Sequence, residues 1–443
     1  MSLNKLYLKR NIDDTLWAWA QAPSRKPLIV RGARQVGKTA AIKHLGAAAF
    51  QNTLAINFDR QPLFKKVFES DLDPRRIVSQ LEALMEMKLR PGKTLLFFDE
   101  IQECENAIKA LRYFHEEMPD VHVVAAGSLL EFVWEKLSVP VGRVSYAYLF
   151  PLTFDEFLAA SGQSKLADHR PRWSASAPTT ALLGEAMAHS LWASLRDYFI
   201  VGGMPEAVLS FVERRSYLDV GTIQDDLLQT YRDDFHKYAK GNKQLDNLSA
   251  VFSRVFGLVG RQLKYSSLGD GDDTKRTKAS LELLERAGIV HRVHCTSARG
   301  LPLSAGTKDS QFKCIFLDIG LGQRCSGMKP ADFIKAENIA TFHQGLIAEQ
   351  FVGQELLAEA DPRSHEPLYY WARQEKSSTA EIDYLVVRDG AILPVEIKSG
   401  TSGALKSLHL YLKDRGGVGI CMQQINNCRL LDQVYFIPLF AKL

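Results

Sequence analysis

Hydrophobic and polar positions alternate in blocks over the first third of the chain. Short apolar runs without internal alternation occupy residues 28–30, 54–56, 95–98 and 121–126. Runs of this kind are typical of strands that are buried on both faces of a parallel sheet. Helical spacing over residues 76–88 and 104–117 separates the later runs. This order predicts an α/β domain over residues 1–150.

From residue 151 onward the pattern becomes helical. Residues 161–180, rich in Ser, Ala and Pro, predict an exposed loop. Helical patterns follow at 191–200, 223–238, 250–263 and 279–287, with a Gly202-Gly203-Met204-Pro205 turn after the first and Gly288 placed to end the last. A helical segment at 345–360 then precedes strand-like runs at 368–372, 381–387 and 392–397. We predict further domains over residues 151–245, 246–335 and 336–443.

Composition places the chain among ordinary globular proteins. Of its 443 residues, 46% are hydrophobic and 24% charged, which excludes disorder, collagen-like repeats and a disulfide scaffold as global descriptions. The net charge of +4, from 55 basic and 51 acidic side chains, is too small to indicate a nucleic-acid partner by itself. The six cysteines form no CxxC pair, and neither a signal-peptide core nor an apolar run of transmembrane length is present. We therefore expect a cytoplasmic protein without a membrane partner.

The first predicted strand leads into a phosphate-binding sequence, Gly32-Ala33-Arg34-Gln35-Val36-Gly37-Lys38-Thr39. Phosphates require backbone N–H groups that converge at a helix N-terminus, and the two glycines permit that turn. Lys38 is expected to pair with the β- and γ-phosphates, and the Thr39 hydroxyl to ligate Mg²⁺. The alternative is a glycine turn with a solvated lysine. The predicted strand before the loop favours the phosphate-binding interpretation. We therefore expect ATP and Mg²⁺ as cofactors.

A second element supports this prediction. The apolar run 95–98 ends in Asp99 and Glu100, and a carboxylate at this position holds the Mg²⁺ shell in P-loop proteins. The next residue, Glu100, can orient or deprotonate the attacking water. The alternative for both carboxylates is the N-cap of a following helix.

Here the chain resembles the AAA-type ATPases, in particular a bacterial and archaeal group whose P-loop reads G-x-R-Q-V-G-K-T. Asp99-Glu100-Ile101-Gln102 is similar to that group's Walker B element. The resemblance implies that Ser128, after the strand at 121–126, contacts the γ-phosphate or the water. It implies that Arg143 reaches a nucleotide, in its own subunit or across a homo-oligomer boundary; a solvated or structural arginine is the alternative. Arg34 lies near the phosphates and could act electrostatically.

The C-terminal part carries two carboxylates and a lysine on neighbouring predicted strands. Asp383 lies in the run 381–387, and Glu396 and Lys398 end the run at 392–397. The strand period of two puts Glu396 and Lys398 on the same face. The three side chains can therefore meet, with the carboxylates as ligands of Mg²⁺ and the lysine next to a water. The alternative is a cross-strand pair on a half-exposed sheet face.

This arrangement resembles the PD-(D/E)XK nuclease superfamily, with Glu381-Ile382-Asp383 in place of a literal Pro-Asp. Glu349, on the preceding helix, matches the superfamily's helix acid, and the patterns at 405–413 and 418–421 continue its order of helix and strand. The resemblance implies a restriction-endonuclease-like α/β fold over 336–443. It also implies a Mg²⁺ or Mn²⁺ site formed by Glu349, Asp383 and Glu396, with Lys398 as a catalytic residue in cleavage.

Residues 251–293 resemble a winged helix-turn-helix, with Tyr265-Ser266-Ser267-Leu268 between two helices. Lys264, Lys275, Arg276 and Lys278 could bind DNA phosphates there. The acidic stretch 269–273 beside them makes a winged helix used for protein packing an equal alternative.

The order of ATPase core, helical lid (151–245), winged helix (246–335) and nuclease-like domain matches one family of prokaryotic AAA-type ATPases over nearly the whole chain. Two functions remain open. The first is an ATP-hydrolysing enzyme with a metal-dependent nuclease module that acts on nucleic acid. The second is an ATP-controlled switch or scaffold, whose nuclease-like domain binds DNA or a protein without cleavage.

Overall fold

The structure is a computed structural model that describes residues 7–128, 142–174, 183–239, 241–268, 274–329, 344–373, 380–398 and 405–443. The chain divides into two compact units. The first unit comprises Met1–Pro151, Arg286–Gly288 and Ala358–His365. The second unit comprises Leu152–Glu285, Ile289–Leu357 and Glu366–Leu443. The acidic stretch 269–273 and residues 175–180 of the predicted loop lie outside the described residues.

The first unit is the predicted α/β domain. Its elements in chain order are α1 (Ile12–Gln21), β1 (Leu28–Arg31), α2 (Lys38–Ala49), β2 (Asn52–Asn57), a 3₁₀ helix (Pro62–Phe68), α3 (Pro74–Met85), β3 (Thr94–Asp99), a 3₁₀ turn (Ile101–Glu103), α4 (Glu105–Glu117), β4 (His122–Ala126) and β5 (Ser145–Tyr148). The described strands form a parallel sheet in the order β2-β3-β4-β1-β5. The parallel sheet expected from the apolar runs is therefore confirmed, and β5, which is partly exposed, adds to it.

This strand order determines which loops meet at the carboxyl edge of the sheet. β4 lies between β3 and β1, so the segments that follow these three strands are neighbours. β2 borders β3, with Asn57 paired to Asp99 at the end of both strands. In a sheet of this type, ligands bind at the carboxyl ends of the strands, at the point where the strand order reverses.

An aromatic cluster supports this edge from one face of the sheet. Phe58, Phe68, Phe98 and Phe114 are fully buried, and their ring centroids lie 5.6–6.2 Å apart along the contacts that join them. Edge-to-face packing of this kind holds each ring in one orientation. Because Phe98 immediately precedes Asp99, the cluster holds the end of β3 in place.

The second unit begins with helices, as the pattern predicted, but the exposed loop expected at 161–180 is wrong in its described part, because Ser164–Asp168 is helical and Arg170 and Trp173 are buried. Its described elements up to residue 286 are α5 (Phe154–Ala160), α6 (Ser164–Asp168), α7 (Glu185–Val201), α8 (Pro205–Arg214), α9 (Tyr217–Tyr238), α10 (Asn242–Val255), a 3₁₀ turn (Phe256–Leu258), α11 (Tyr265–Leu268) and α12 (Thr274–Arg286). α5 starts at a capping box, in which Thr153 and Glu156 exchange side-chain and backbone hydrogen bonds of 3.2 and 2.8 Å. The helix predicted at 250–263 ends earlier, at Val255, where the chain tightens into the 3₁₀ turn.

The glycine pair between α7 and α8 is required by close packing. A Cβ on Gly203 would lie 2.2 Å from the Leu152 carbonyl oxygen, and Gly202 has a φ of +74°. The Gly203 N–H donates a 2.6 Å hydrogen bond to the buried Asp318 carboxylate, which also accepts from the Leu321 N–H. The turn is therefore anchored to a segment more than a hundred residues further along the chain.

The remaining elements form one extended sheet. They are β6 (Val290–Thr296), a 3₁₀ turn (Leu303–Gly306), β7 (Thr307–Phe316), α13 (Ile319–Cys325), α14 (Gln344–Ala358), β8 (Leu368–Ala372), β9 (Glu381–Arg388), β10 (Ala391–Ile397), α15 (Lys406–Arg415), β11 (Gly419–Gln423), β12 (Arg429–Leu431) and β13 (Val434–Pro438). The described strands are ordered β12-β13-β11-β10-β9-β8-β6-β7.

The sheet does not respect the domain boundary predicted at 335/336. β6, on the N-terminal side of that boundary, pairs in parallel with β8 on its other side, from Val293 opposite Leu368 to Thr296 opposite Trp371. The hairpin of β6 and β7 thus extends the C-terminal sheet, and backbone hydrogen bonds join the two predicted domains. The predicted division at 245/246 likewise falls within the second unit.

All six cysteines are free thiols, buried or half-buried. Among the helices that the structure describes, none is long and apolar enough to cross a membrane.

Candidate functional site

The P-loop takes a backbone path that needs glycine at its first position. β1 ends at Arg31, the loop follows, and α2 begins at Lys38. Gly32 has a φ of +148°, and a Cβ there would lie 2.1 Å from the Leu149 carbonyl oxygen. Gly37, at the N-cap of α2, has a φ of +104°. Glycine is therefore required at position 32 because a side chain has no space there, and at both positions because φ is positive.

Lys38 is buried over the loop, with 7% of its surface exposed. Its ammonium donates hydrogen bonds of 3.0 and 2.7 Å to the carbonyl oxygens of Gly32 and Ala33. Burial lowers the pKa of Lys38 to about 8, although Glu100 and Asp99 act in the opposite direction. A charged group held this way at the start of a helix is suited to an anionic ligand.

Three elements bring polar side chains together beside the lysine. The Thr39 hydroxyl donates a 2.9 Å hydrogen bond to Asp99 Oδ1, and Asn57 Nδ2 donates a 3.0 Å bond to Asp99 Oδ2. The hydroxyl and the carboxylate are hard oxygen ligands of the type that Mg²⁺ takes directly or through water. These residues fit a magnesium ion. Sequence reasoning missed Asn57, whose only signal was its place at the end of β2.

Glu100 and Ser128 follow the two neighbouring strands at the same edge. Glu100 has a φ of +49°, a conformation that non-glycine residues rarely adopt, and its Oε2 accepts a 2.6 Å hydrogen bond from Gln102 Nε2. Ser128 is buried two residues after β4, between the end of β3 and the P-loop. The structure thus gathers Gly32–Thr39, Asp99, Glu100 and Ser128 at one edge.

Arg143 lies elsewhere. It precedes β5, whose first residue Ser145 pairs with Leu28 at the start of β1, so Arg143 is at the amino edge of the sheet. β1 and β5 each have four residues. At ~3.3 Å per residue, the length of these strands separates Arg143 from the P-loop by about 13 Å. Its guanidinium forms a 2.7 Å ion pair with Glu116, near the end of α4. Arg143 therefore does not reach the P-loop of its own chain.

Two other arginines lie at the loop. Arg34, within it, is close enough to lower the pKa of Lys38. Arg10 was not predicted: its buried guanidinium donates hydrogen bonds of 2.9 and 2.6 Å to the carbonyl oxygens of Val36 and Phe150. Arg10 therefore ties the P-loop to the segment that follows β5. A lone arginine before α1 has no sequence signal for this role.

The C-terminal residues also converge. Glu349 lies on α14, Asp383 on β9, and Glu396 and Lys398 at the end of β10. Asp383 Oδ2 accepts a 2.8 Å hydrogen bond from the Ile397 N–H, and Lys398 pairs with Glu396 Oε1 at 2.6 Å. Burial and the nearby Asp383 raise the pKa of both Glu349 and Glu396.

A lysine that sequence reasoning missed lies between these acids. Lys313 on β7 has a side chain only 1% exposed, and its ammonium is 2.9 Å from Glu349 Oε1 and 3.5 Å from Asp383 Oδ1. It also forms an ion pair with Glu381. The carboxylates hold the pKa of Lys313 well above its usual range, against the effect of burial.

The predicted metal site therefore needs correction. One oxygen each of Glu349 and Asp383 faces the Lys313 ammonium. One oxygen of Glu396 forms an ion pair with Lys398. Among the residues that the structure describes, no group of three or more His, Cys, Asp or Glu side chains is arranged to hold a metal ion. The side chains expected as metal ligands at Glu349, Asp383 and Glu396 do not fit one in this arrangement, because Lys313 takes the central place.

Three family models match successive parts of the chain. Residues 24–158 match the model described as "AAA domain". Residues 193–332 and 344–439 match two models described as domains of unknown function, DUF8612 and DUF4143. No curated protein matches the chain.

Solved structures that match the chain include the Orc1 protein of Aeropyrum pernix in complex with DNA. It is 14% identical, with a TM-score of 0.30, and the match covers 74% of this chain and 95% of that one. Another is RuvB of Thermotoga maritima, a Holliday junction branch migration motor. It is 16% identical, with a TM-score of 0.29, covering 64% of this chain and 89% of that one.

The match to the AAA domain model agrees with the geometry of the phosphate-binding loop. The glycine-dependent loop, the buried Lys38 and the Thr39–Asp99 contact all lie within the matched residues. Residues 24–158 of this chain are therefore similar to an AAA domain, with a phosphate-binding loop built on a parallel sheet.

Proposed function

We propose that the protein binds ATP with Mg²⁺ and hydrolyses it. The observation that carries this proposal is the hydrogen bond between Thr39 and Asp99 beside the buried Lys38. It brings the Thr39 hydroxyl and the Lys38 ammonium, at the start of α2, close to the Asp99 carboxylate at the end of β3, which supports binding of Mg²⁺ and phosphate there. Neither an N-cap nor a solvated lysine accounts for all three.

Each residue at the edge has a distinct role in this proposal. Lys38 leaves the carbonyls of its own loop and pairs with the β- and γ-phosphates. Thr39 and Asp99 hold Mg²⁺, which neutralises charge on the phosphates. Glu100 orients a water and accepts its proton, and Ser128 contacts the γ-phosphate or that water. Asn57 keeps the Asp99 carboxylate turned toward Thr39.

In this proposal Arg143 acts on the nucleotide of a second copy of the chain. Its place at the amino edge of the sheet, away from its own P-loop, supports contact with a neighbouring subunit in a homo-oligomer. Because the ion pair between Arg143 and Glu116 is exposed, a phosphate group can replace Glu116 as the partner of Arg143. Mixing experiments with Arg143 and Glu100 variants test this role.

For the C-terminal part we propose binding without cleavage, so that the protein works as an ATP-controlled switch or scaffold. The helix and strand order still resembles a PD-(D/E)XK nuclease, but Lys313 among the acids favours the non-cleaving alternative. DNA is the proposed partner. The side chains of Lys264, Lys275 and Lys278 are exposed on and before α12, where they can contact phosphates.

Two measurements test the proposal. Calorimetry with ATP and Mg²⁺ should show one site per chain, and no affinity would overturn the nucleotide assignment. Incubation of wild-type protein with DNA and RNA of several forms, in Mg²⁺ or Mn²⁺ and with or without ATP, should give no cleavage. Metal-dependent cleavage that Asp383→Asn abolishes would restore the nuclease function instead.

A further inference from the structure

Lys313 is an unusual residue because its charge is buried in the apolar second half of β7. This part of the strand reads Gln311-Phe312-Lys313-Cys314-Ile315-Phe316, and its last five residues are buried. A buried ammonium is costly unless carboxylates pair with it in good geometry. Three do so, Glu349, Glu381 and Asp383, from a helix and a strand that follow β7 in the chain.

The oxygens around Lys313 are almost fully engaged. One oxygen each of Glu349, Glu381 and Asp383 faces the ammonium, and the second Asp383 oxygen accepts from the Ile397 N–H. Glu396 Oε1 pairs with Lys398, whereas its Oε2 is buried with no hydrogen bond from any described residue. Glu396 is 93% buried, since 7% of its surface is exposed. The Glu396 carboxyl is close enough to Asp383 for that charge, together with burial, to raise the pKa of Glu396.

The spacing suits an ammonium and not a small divalent ion. The ammonium–oxygen distances to Glu349 and Asp383 are 2.9 and 3.5 Å, whereas Mg²⁺ takes oxygens at about 2.0–2.1 Å. A divalent ion at this point must first displace the amine. Because the Lys313 side chain is buried, its amine has to leave the carboxylates before it can reach solvent.

We infer that Lys313 is a built-in cation that takes the position of a divalent metal ion, so that the wild-type cluster binds none. Removal of the amine converts Glu349, Asp383 and Glu396, with Glu381 beside them, into a site for a hard divalent cation such as Mn²⁺. Among the described residues of the cluster, Lys398 would then be the remaining cation beside four carboxylates. A divalent cation would restore the positive charge that is lost with the Lys313 amine.

This inference deepens the proposed non-cleaving role of the C-terminal part and rests on it. The full chain without nucleotide is titrated with Mn²⁺ by electron paramagnetic resonance, which counts free ion, and by calorimetry. Wild type and Asp383→Asn should take up the same amount of Mn²⁺. Lys313→Met should bind one further equivalent per chain, and adding Asp383→Asn to that variant should remove it.

Lys308→Met is the matched control, because Lys308 lies on the same strand with its side chain exposed. It should leave Mn²⁺ uptake unchanged. The inference is overturned if wild type binds an equivalent that Asp383→Asn loses, or if folded Lys313→Met gains none. Where Lys313→Met fails to fold, the comparison of wild type with Asp383→Asn decides the matter. Cleavage without Asp383-dependent Mn²⁺ uptake would contradict only the proposed function.

Discussion

The hydroxyl of Thr39 donates a hydrogen bond to the carboxylate of Asp99 across two strands of the sheet, at 2.9 Å. The residues are 60 positions apart in the chain. Their contact depends on β4 lying between β3 and β1, which brings the start of α2, after β1, close to the end of β3. Because Asn57 holds the other Asp99 oxygen, the carboxylate has one orientation before any ligand arrives.

Lys38→Ala should abolish measurable ATP binding, since it removes the charge partner of the phosphates. Calorimetry in Mg²⁺ provides the measurement. Lys43→Ala is the control, because Lys43 is an exposed lysine on the same helix. Retained affinity in Lys38→Ala would place the nucleotide elsewhere.

ATP affinity should also depend on pH through Lys38. The buried amine has a pKa of about 8 in the free protein, and a phosphate beside it raises that pKa. Affinity should therefore be constant below pH 8 and fall as pH rises above it, by about tenfold per unit. Binding at pH 8.5 should take up protons, which calorimetry in buffers of different ionisation enthalpy detects. A flat profile from pH 7 to 9.5 would contradict this.

Glu100→Gln should bind ATP normally but hydrolyse it ~10²–10⁴-fold more slowly, the usual scale for losing a general base. Steady-state phosphate release measures the rate. Glu103→Gln serves as the control, since Glu103 lies one turn on and pairs only with Lys65 among the described residues. Equal rates in Glu100→Gln and wild type would exclude Glu100 as the base.

Arg143→Ala and Glu100→Gln should each be slow alone but recover ATPase activity when mixed. A hybrid interface then has one intact Glu100 facing one intact Arg143, and an arginine supplied in this way is worth ~10³–10⁵ in rate. Arg112→Ala is the control, because Arg112 pairs with the same Glu116. Wild-type protein that stays monomeric with ATP while hydrolysing it at full rate would eliminate this role.

Lys313→Met should lower the free energy of unfolding by about 3–5 kcal/mol, the usual cost of breaking a buried ion pair. The loss arises because three carboxylates are left facing one another. Urea denaturation measures it, with the exposed Lys308→Met as control. Mn²⁺ should restore part of the lost stability in Lys313→Met only. An unchanged unfolding midpoint would show that the cluster does not depend on the lysine.

The sequence alone determined the local features of this protein. The apolar runs define β1, β3 and β4, because a strand buried on both faces cannot tolerate alternating polar residues. The P-loop is readable because Gly32 and Gly37 are demanded by backbone conformation and close approach. The helical segments and the alternation that puts Glu396 and Lys398 on one face are likewise properties of a few neighbouring residues.

Only the tertiary structure decided which distant residues meet. The pairing of β6 with β8 joins two predicted domains, and strand order puts Arg143 on the edge away from its own P-loop. Lys313 reaches Glu349 and Asp383 from 36 and 70 positions away. Hydrophobic patterning specifies that a strand is buried but not which strand lies beside it, and a single buried lysine in an apolar strand carries no signal of its partners. Its place among the acids follows from sheet register, which long-range packing sets.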